Sequence, residues 1–400
     1  MNEVFIYDAI RTARTRAKAS GGLHPLPPQE LLKQLYEHLV RRTGVSRDLI
    51  QEVILGCVTQ HADQAGNIAR NSVLYAGWPD TLPGLTVNRF CSSSVDAISI
   101  GALKVASGQA ECIIAGGVEM MSRVPLLADQ ASIFVDPAFA ARCQILLMGN
   151  GADLIATRYG VSREECDAVA LLSQQRAAKA RDQGYFASLV PIADADSEQL
   201  IATDECIRDG LTLSALAGLV PAFDKIGAAG ADAAQLRALP SLEAINHVHT
   251  AGNSPAMCDG AATVLIGSAE LGSQLGITPR ARLLHAKTVC AEPLEVVSGC
   301  VKAAQAVMAD KGMTNNDIEL FELHEAFAAT TVMAKRTLSI EDDKLNVNGG
   351  VIALGHPMGA TGAMMTGTLL DEMERTDRAL GLISASGAAG SGSALLIERI

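Results

Sequence analysis

Cys91 stands in Thr86-Val87-Asn88-Arg89-Phe90-Cys91-Ser92-Ser93-Ser94, where a short apolar stretch gives way to small polar residues. Apolar residues then recur at Val95, Ile98, Ala102 and Val105, a helical spacing. The pattern predicts a strand over 86–91 that runs into a helix, with Cys91 at the junction. A helix N-terminus carries partial positive charge and unpaired N–H groups. Both favour a thiolate over a thiol, and the N–H groups can receive a developing oxyanion. The serines suit capping of the orphan amides. The plain alternative for any one Cys is a small core hydrophobe. Only a partner base elsewhere in the chain separates the two.

The second half of the chain offers such bases. Leu323-His324-Glu325-Ala326-Phe327-Ala328 places a His and a Glu at the end of an apolar run. Asn348-Gly349-Gly350-Val351-Ile352-Ala353-Leu354-Gly355-His356-Pro357-Met358-Gly359-Ala360-Thr361-Gly362 sets His356 in a turn with little bulk to block approach. Ser384-Ala385-Ser386-Gly387-Ala388-Ala389-Gly390-Ser391-Gly392 is a run of small residues that lets backbone come close to a ligand.

The elements that must carry these groups alternate in type. Residues 3–10 read as a strand, 11–22 as a polar loop, and Pro28 to about Thr43 as a helix with Leu31, Leu32, Leu35, Leu39 and Val40 on one face. Val53-Ile54-Leu55-Gly56 reads as a buried strand and 67–75 as a helix. Cys112-Ile113-Ile114-Ala115 reads as a strand that ends at Gly116-Gly117. This alternation implies an α/β sheet. Residues 122–249 change character, with a long helix near 163–183, acidic loops around Asp194–Glu198 and little β pattern, as in a covering subdomain.

The same order of features then returns. Gly44-Val45-Ser46-Arg47-Asp48 leads into Val53 much as Gly312-Met313-Thr314-Asn315-Asn316 leads into Leu320. Val87-Asn88 precedes the Cys91 helix, and Val347-Asn348 precedes a Gly-rich turn and a helix over 362–373. We read two halves of one fold about a pseudo-twofold: 1–121 (completed by about 250–275) and 276–400, with 122–249 as the covering domain. The duplication brings together the helix starts that carry Cys91 and His356.

Composition narrows the chemistry. The 400 residues are 48% hydrophobic, enough for a large core. A net charge of -12 and only 4% aromatics argue against nucleic acid, which calls for a basic face and stacking platforms. Nine Cys without paired spacing suit reduced thiols and a cytoplasmic location. Val4-Phe5-Ile6-Tyr7 reads as a strand rather than a leader, and no apolar run is long enough to span a membrane. His247-Val248-His249 lacks a third ligand nearby and reads as a polar loop rather than a metal site. No GK[ST] occurs, and Gly252-Asn253-Ser254-Pro255-Ala256 only partly matches a serine-hydrolase elbow.

Taken together, Asn88-Arg89-Phe90-Cys91-Ser92-Ser93, the His324-Glu325-Ala326-Phe327 block, Gly355-His356-Pro357-Met358-Gly359-Ala360-Thr361-Gly362 and the Ser386-Gly387-Ala388 turn closely resemble the thiolases. Gly116-Gly117-Val118-Glu119-Met120-Met121-Ser122 and Thr250-Ala251-Gly252-Asn253-Ser254-Pro255 extend the resemblance over nearly the whole chain. It implies a duplicated five-layer αβαβα sandwich with a loop domain over the site. Cys91 is then the acyl-accepting nucleophile, and His356 activates it and serves an oxyanion pocket. His324, where many thiolases carry Asn, helps form that pocket through a water, as in thiolases of fatty-acid oxidation. Met148 and Phe327 match positions lining the pantetheine tunnel, and Ser254 lies in the coenzyme A loop. The resemblance implies no cofactor, coenzyme A thioesters as substrates, and a homodimer or homotetramer.

One position departs from the family. Its second Cys, the acid/base at the acetyl carbon, aligns with Ser386. A hydroxyl is a much weaker acid than a thiol, and general acid–base catalysis is worth about 10²–10⁴-fold. Four explanations stay open: an introduced substitution, a natural one served by a neighbour or water, a thiol supplied by Cys258, or a protein that forms the acyl-enzyme without efficient carbon–carbon chemistry. The leading reading is a degradative 3-oxoacyl-CoA thiolase. The alternative is a thiolase-fold acyl-CoA-binding or thioesterase-like protein.

Overall fold

The computed structural model describes residues 2–194 and 199–400. The acidic stretch expected as a loop around Asp194–Glu198 therefore lies largely outside the described residues. Nine principal strands form the main sheet: β1 (Phe5–Arg11), β2 (Glu52–Gly56), β3 (Gly84–Val87), β4 (Cys112–Met120), β5 (Cys258–Gly267), β6 (Ala281–Cys290), β7 (Leu320–Leu323), β8 (Leu380–Ser386) and β9 (Ser391–Arg399). Their order is β3-β2-β4-β5-β1-β6-β9-β8-β7, with a short Thr15–Arg16 strand beside β5.

That order is one pattern written twice. In the first half β3, β2 and β4 run parallel, and β5 and β1 follow antiparallel. In the second, β7 and β8 run parallel, and β9 and β6 follow antiparallel. A parallel bridge from Phe321 to Leu345 stands where β3 stands in the first half. The halves join where Phe5 and Ile6 of β1 pair with Arg282 and Ala281 of β6.

Seven helices fix the layering: α1 (Pro28–Thr43), α2 (Ser93–Ala106), α3 (Met148–Tyr159), α4 (Arg163–Asp182), α5 (Gly299–Asp310), α6 (Ala328–Leu338) and α7 (Thr361–Thr376). Helix α1 starts on Pro28, whose missing N–H is one of the orphans of a first turn. It buries Leu31, Leu32, Leu35 and Leu39 against the first half-sheet and ends at Gly44 in the left-handed region. Helix α5 covers β6, β8 and β9 in the same way. Helices α2 and α7 touch strands of both half-sheets, so they form a shared central layer. The result is α|β|α|β|α, and the two central helices start close to the seam.

Two local readings need correction. Strand β4 does not stop at Gly116-Gly117 but runs on to Met120. A Cβ at Gly116 would lie 2.1 Å from the Ala262 carbonyl oxygen, and one at Gly117 2.1 Å from that of Gly359. These glycines permit close approach inside a strand; they do not end it. The loop read as polar over 11–22 also holds two buried guanidinium groups, Arg11 and Arg14. Arg11 pairs bidentately with buried Asp204 at 2.8 and 2.9 Å, which ties the covering segment to β1.

Candidate active site

Strand β3 ends at Val87 rather than reaching Cys91, and a tight turn carries the chain on to α2. The Asn88 amide organises it, donating to the Val58 carbonyl at 3.0 Å and accepting from the Phe90 N–H at 2.8 Å. Phe90 adopts φ +50°, a left-handed conformation uncommon for any residue with a side chain. The serines do not cap α2. Ser92 donates to the Ala385 carbonyl at 2.8 Å, and Ser94 accepts from the Ala363 N–H at 3.0 Å. Their hydroxyls sit on the seam between halves, where buried backbone groups of the opposite half need partners.

His356 arrives from that opposite half. Gly355 before it has φ +99°, and a Cβ there would meet the sulfurs of Cys258 and Cys206 at 2.8 and 3.0 Å. The His356 N–H donates to the Ala256 carbonyl at 2.9 Å, and its Nδ1 lies 2.7 Å from the Thr361 hydroxyl. That hydroxyl donates to the Pro357 carbonyl, so its oxygen accepts from Nδ1–H. This network assigns the tautomer and leaves Nε2 with a free lone pair, as a base requires.

The His324 ring lies 4.5 Å from that of His356, centre to centre. It is held at the end of β7 by its own N–H on the Ser384 carbonyl, and its Nδ1 donates to the Ser386 carbonyl at 3.2 Å. Its Nε2 is buried without a partner among the described residues. The turn after β8 presses on the Cys91 segment: a Cβ at Gly387 would lie 2.6 Å from the Arg89 carbonyl and 3.2 Å from Phe90 Cβ. A cavity of about 220 Å³ opens onto this convergence, lined by Cys91, Phe90, Met358, Ala388 and Met148. Leu126, Leu127 and Phe134 of the covering segment complete its wall.

The electrostatics reverse the expectation for Cys91. Burial, followed by the nearby Glu119 carboxylate, pushes its thiol up to about 12. A lift of that size corresponds to about 4 kcal/mol, against at most about 2 kcal/mol from a helix N-terminus. Burial lowers His356 well below the ordinary imidazole range, helped by His324 and Arg14. Burial also takes His324 down to about 4, against the opposing pull of the Ser386 carbonyl. The resting site thus holds a neutral thiol and two neutral imidazoles rather than an ion pair.

The family follows from comparison with known proteins. The thiolase N-terminal domain model matches residues 4–238 and the thiolase C-terminal domain model matches 277–399. The chain belongs to the thiolase family. A 3-ketoacyl-CoA thiolase of Colwellia psychrerythraea and a beta-ketoadipyl-CoA thiolase of Pseudomonas putida are each 36% identical over the full length of both chains. Human mitochondrial 3-ketoacyl-CoA thiolase superposes with a TM-score of 0.87 at 30% identity, covering 100% of this chain and 99% of that one. Bacillus anthracis acetyl-CoA acetyltransferase gives the same TM-score and coverage at 32% identity.

The other thiolase-motif positions fall in different places. Met148 lines the Cys91 cavity. Phe327 is buried against the rings of Phe223 and His249, at 5.8 and 5.2 Å. The Ser254 hydroxyl is buried without a partner among the described residues. Cys258 is buried behind Gly355, where its sulfur and that of Cys206 both face the Gly355 backbone. Ser386 instead accepts from the Cys300 N–H at 2.9 Å. His247 and His249 both bind Asp153, and among the described residues no cluster of metal-ligating side chains occurs.

Glu119, in the Gly116–Ser122 block, has a role that only the folded chain shows. Its carboxylate accepts from the N–H groups of Val58, Thr59 and Gly359 and from the Gln64 amide, at 2.8–3.0 Å. It pins the turn after His356 to the turn beside Cys91. Burial raises its pKa, yet four donors occupy its lone pairs, so it remains a carboxylate. A lone Glu inside an apolar strand was the signal available in sequence. Glu119→Ala strands these donors in the interior at about 1–3 kcal/mol each, partly relieved by water. We expect a loss of about 3–5 kcal/mol in urea unfolding; a loss under about 1 kcal/mol would contradict the pinning role.

Proposed function

We propose that this chain is a degradative 3-oxoacyl-CoA thiolase, an acyltransferase that moves an acyl group between a Cys91 thioester and coenzyme A and releases acetyl-CoA. The observation that carries the reading is a thiol on a cavity whose wall also holds Met358, two residues beyond a histidine with a free Nε2 lone pair whose ring packs on that of a second buried histidine. Full-length relatives of that activity support it.

The chemistry follows from the groups. His356 Nε2 takes the Cys91 proton as sulfur attacks the 3-oxo carbon, so charge develops only when the oxyanion forms. The resulting imidazolium donates to a negative oxygen of the substrate. A water that donates one hydrogen to His324 Nε2 has its second free for the enolate oxygen. Breaking the C2–C3 bond leaves acetyl-CoA enolate and acyl-Cys91, and coenzyme A then takes the acyl group. The covalent intermediate predicts ping-pong kinetics.

The finer parts of the reading have their own support. Met148 and Ser254 serve the pantetheine arm, consistent with a cavity-lining side chain and an unpartnered hydroxyl; Phe327 backs that wall from the core. A homodimer or homotetramer is favoured by β3 at the sheet edge, where Leu85 is exposed. Nine unpaired cysteines favour a reducing, cytoplasmic setting, and among the described residues no helix is long and apolar enough to cross a membrane.

Incubation with acetoacetyl-CoA and longer 3-oxoacyl-CoA thioesters tests the proposal. Mass added at Cys91, with coenzyme A-dependent release of acetyl-CoA and a shortened acyl-CoA, is the expected result. Release of free acid would favour the thioesterase alternative.

A further inference from the structure

Cleavage of the C2–C3 bond leaves the shortened acyl group on the Cys91 sulfur, so the space that Cys91 lines has to hold that group. That space is the cavity of about 220 Å³ beside Phe90 and Met148. A cavity of about 150 Å³ takes one benzene ring, so this one takes a chain of several carbons. Its walls are apolar. The rings of Phe90 and Phe134 meet edge to face at 5.9 Å, and Leu126, Leu127, Ile133 and Met148 fill in around them.

Among the described residues no Arg, Lys or His lines this cavity. Arg89, next to Phe90, is held in an ion pair with Asp96. Arg123, shortly before Leu126, pairs with Asp63 and donates to the His24 carbonyl. The charged group on the wall is the Asp129 carboxylate. Two tight turns present it: the Ala128 N–H donates to the Pro125 carbonyl and the Gln130 N–H to the Leu127 carbonyl, both at 3.0 Å. Leu127 and Gln130 take φ of +65° and +51° on either side, conformations that persist only where the surroundings impose them. Asp129 is exposed and has no ion-pair partner among the described residues. A second carboxylate, Glu119, binds the backbone of Val58 and Thr59, which also line the cavity. Both full charges here are negative.

We propose that Asp129 is a specificity-determining residue: together with the apolar wall it admits 3-oxoacyl groups with an uncharged alkyl chain and rejects chains that end in a carboxylate. The inference rests on the thiolase reading above and names its substrate class. A matched pair of substrates shows the reason. Thiolysis of 3-oxohexanoyl-CoA leaves butanoyl-Cys91 and acetyl-CoA, and coenzyme A then carries the butanoyl group away. Thiolysis of 3-oxoadipyl-CoA leaves succinyl-Cys91 and acetyl-CoA by the same bond changes. The two acyl groups have equal numbers of carbons, so the second puts a carboxylate where the first puts a methyl group. There it faces phenylalanine and leucine side chains without a cation to pair it, and losing its water is costly. Asp129 adds like-charge repulsion, screened in part by the solvent it also touches.

Thiolysis of both substrates by the full-length enzyme at one ionic strength tests the proposal. The kcat/KM for 3-oxohexanoyl-CoA is expected to exceed that for 3-oxoadipyl-CoA by about 10²-fold or more, the scale of a buried charge left unpaired beside a like one. Asp129→Asn is expected to narrow that ratio by about tenfold, the worth of a like-charge contact in a partly solvated setting. Asp129→Arg, which supplies a cation able to pair with the chain end, is expected to narrow it further. Because Asp129 is exposed, neither substitution disturbs the core. Equal rates on the two substrates in the unaltered enzyme, a preference for 3-oxoadipyl-CoA, or a ratio that neither Asp129 variant moves would overturn the proposal. Thiolysis of neither substrate, with no mass added at Cys91, would defeat the thiolase reading itself and the selectivity with it.

Discussion

Cys91→Ala is expected to remove the acyl-enzyme entirely and to lower thiolysis by about 10⁴-fold or more, the scale on which loss of a covalent nucleophile acts. Mass spectrometry of the protein after incubation with acetoacetyl-CoA checks the first part and a coenzyme A-dependent assay the second. Substitute nucleophiles are few. Cys57, Cys112, Cys166, Cys206, Cys258 and Cys300 are buried; Cys143 is half-buried, and Cys290 is exposed. An acyl adduct persisting in Cys91→Ala would therefore point to Cys290 or Cys143, and the site would have to be redrawn. The fold should tolerate the change, because the lost sulfur borders a cavity rather than filling the core. Substrate affinity should change little. A fall in activity accompanied by lost coenzyme A binding would argue for a structural defect.

How far the sequence could go is clearest at particular residues. The duplicated feature order was legible because β2 with β4 and β7 with β8 repeat the same apolar runs and turn signals. That repeat alone brought the starts of α2 and α7 together. The acidity of Cys91 was not legible. Helix position is local, but desolvation and the carboxylate of Glu119 are assembled by residues far apart in the chain, and they win. The serines after Cys91 mislead for the same reason: in isolation they cap, and in the folded protein they bridge to Ala385 and Ala363. Gly116 and Gly117 read as a stop because glycine favours turns, whereas tertiary contact reserves them for close backbone approach. The Cys300 N–H that holds the Ser386 hydroxyl carried no local signal at all. Its pairing with Ser386 exists only because two glycines let α5 touch a hairpin that lies about ninety residues on.

His356→Gln should cost about 10²–10⁴-fold in kcat/KM for thiolysis, the usual worth of a positioned base, and should change the shape of the pH profile. A thiol with a pKa of about 12 is ionised in roughly one molecule in 10⁵ at pH 7. Attack thus depends on proton removal during the step rather than on a standing thiolate. His356 serves as base only when neutral, and burial depresses its pKa well below 6.5. The working, neutral form therefore persists as pH falls past the ordinary imidazole range. The acid limb of kcat/KM in the unaltered enzyme should lie well under pH 6.5, with a plateau above it. Glutamine keeps a side chain able to meet the Thr361 hydroxyl but cannot take the proton. The residual rate of the variant should then climb about tenfold per pH unit between 7 and 9, following the free thiolate. A variant whose profile parallels the unaltered enzyme at reduced height would place the base elsewhere. A plateau beginning above pH 7 in the unaltered enzyme would mean that the imidazole is raised by an ion pair with Cys91, contrary to the neutral resting site.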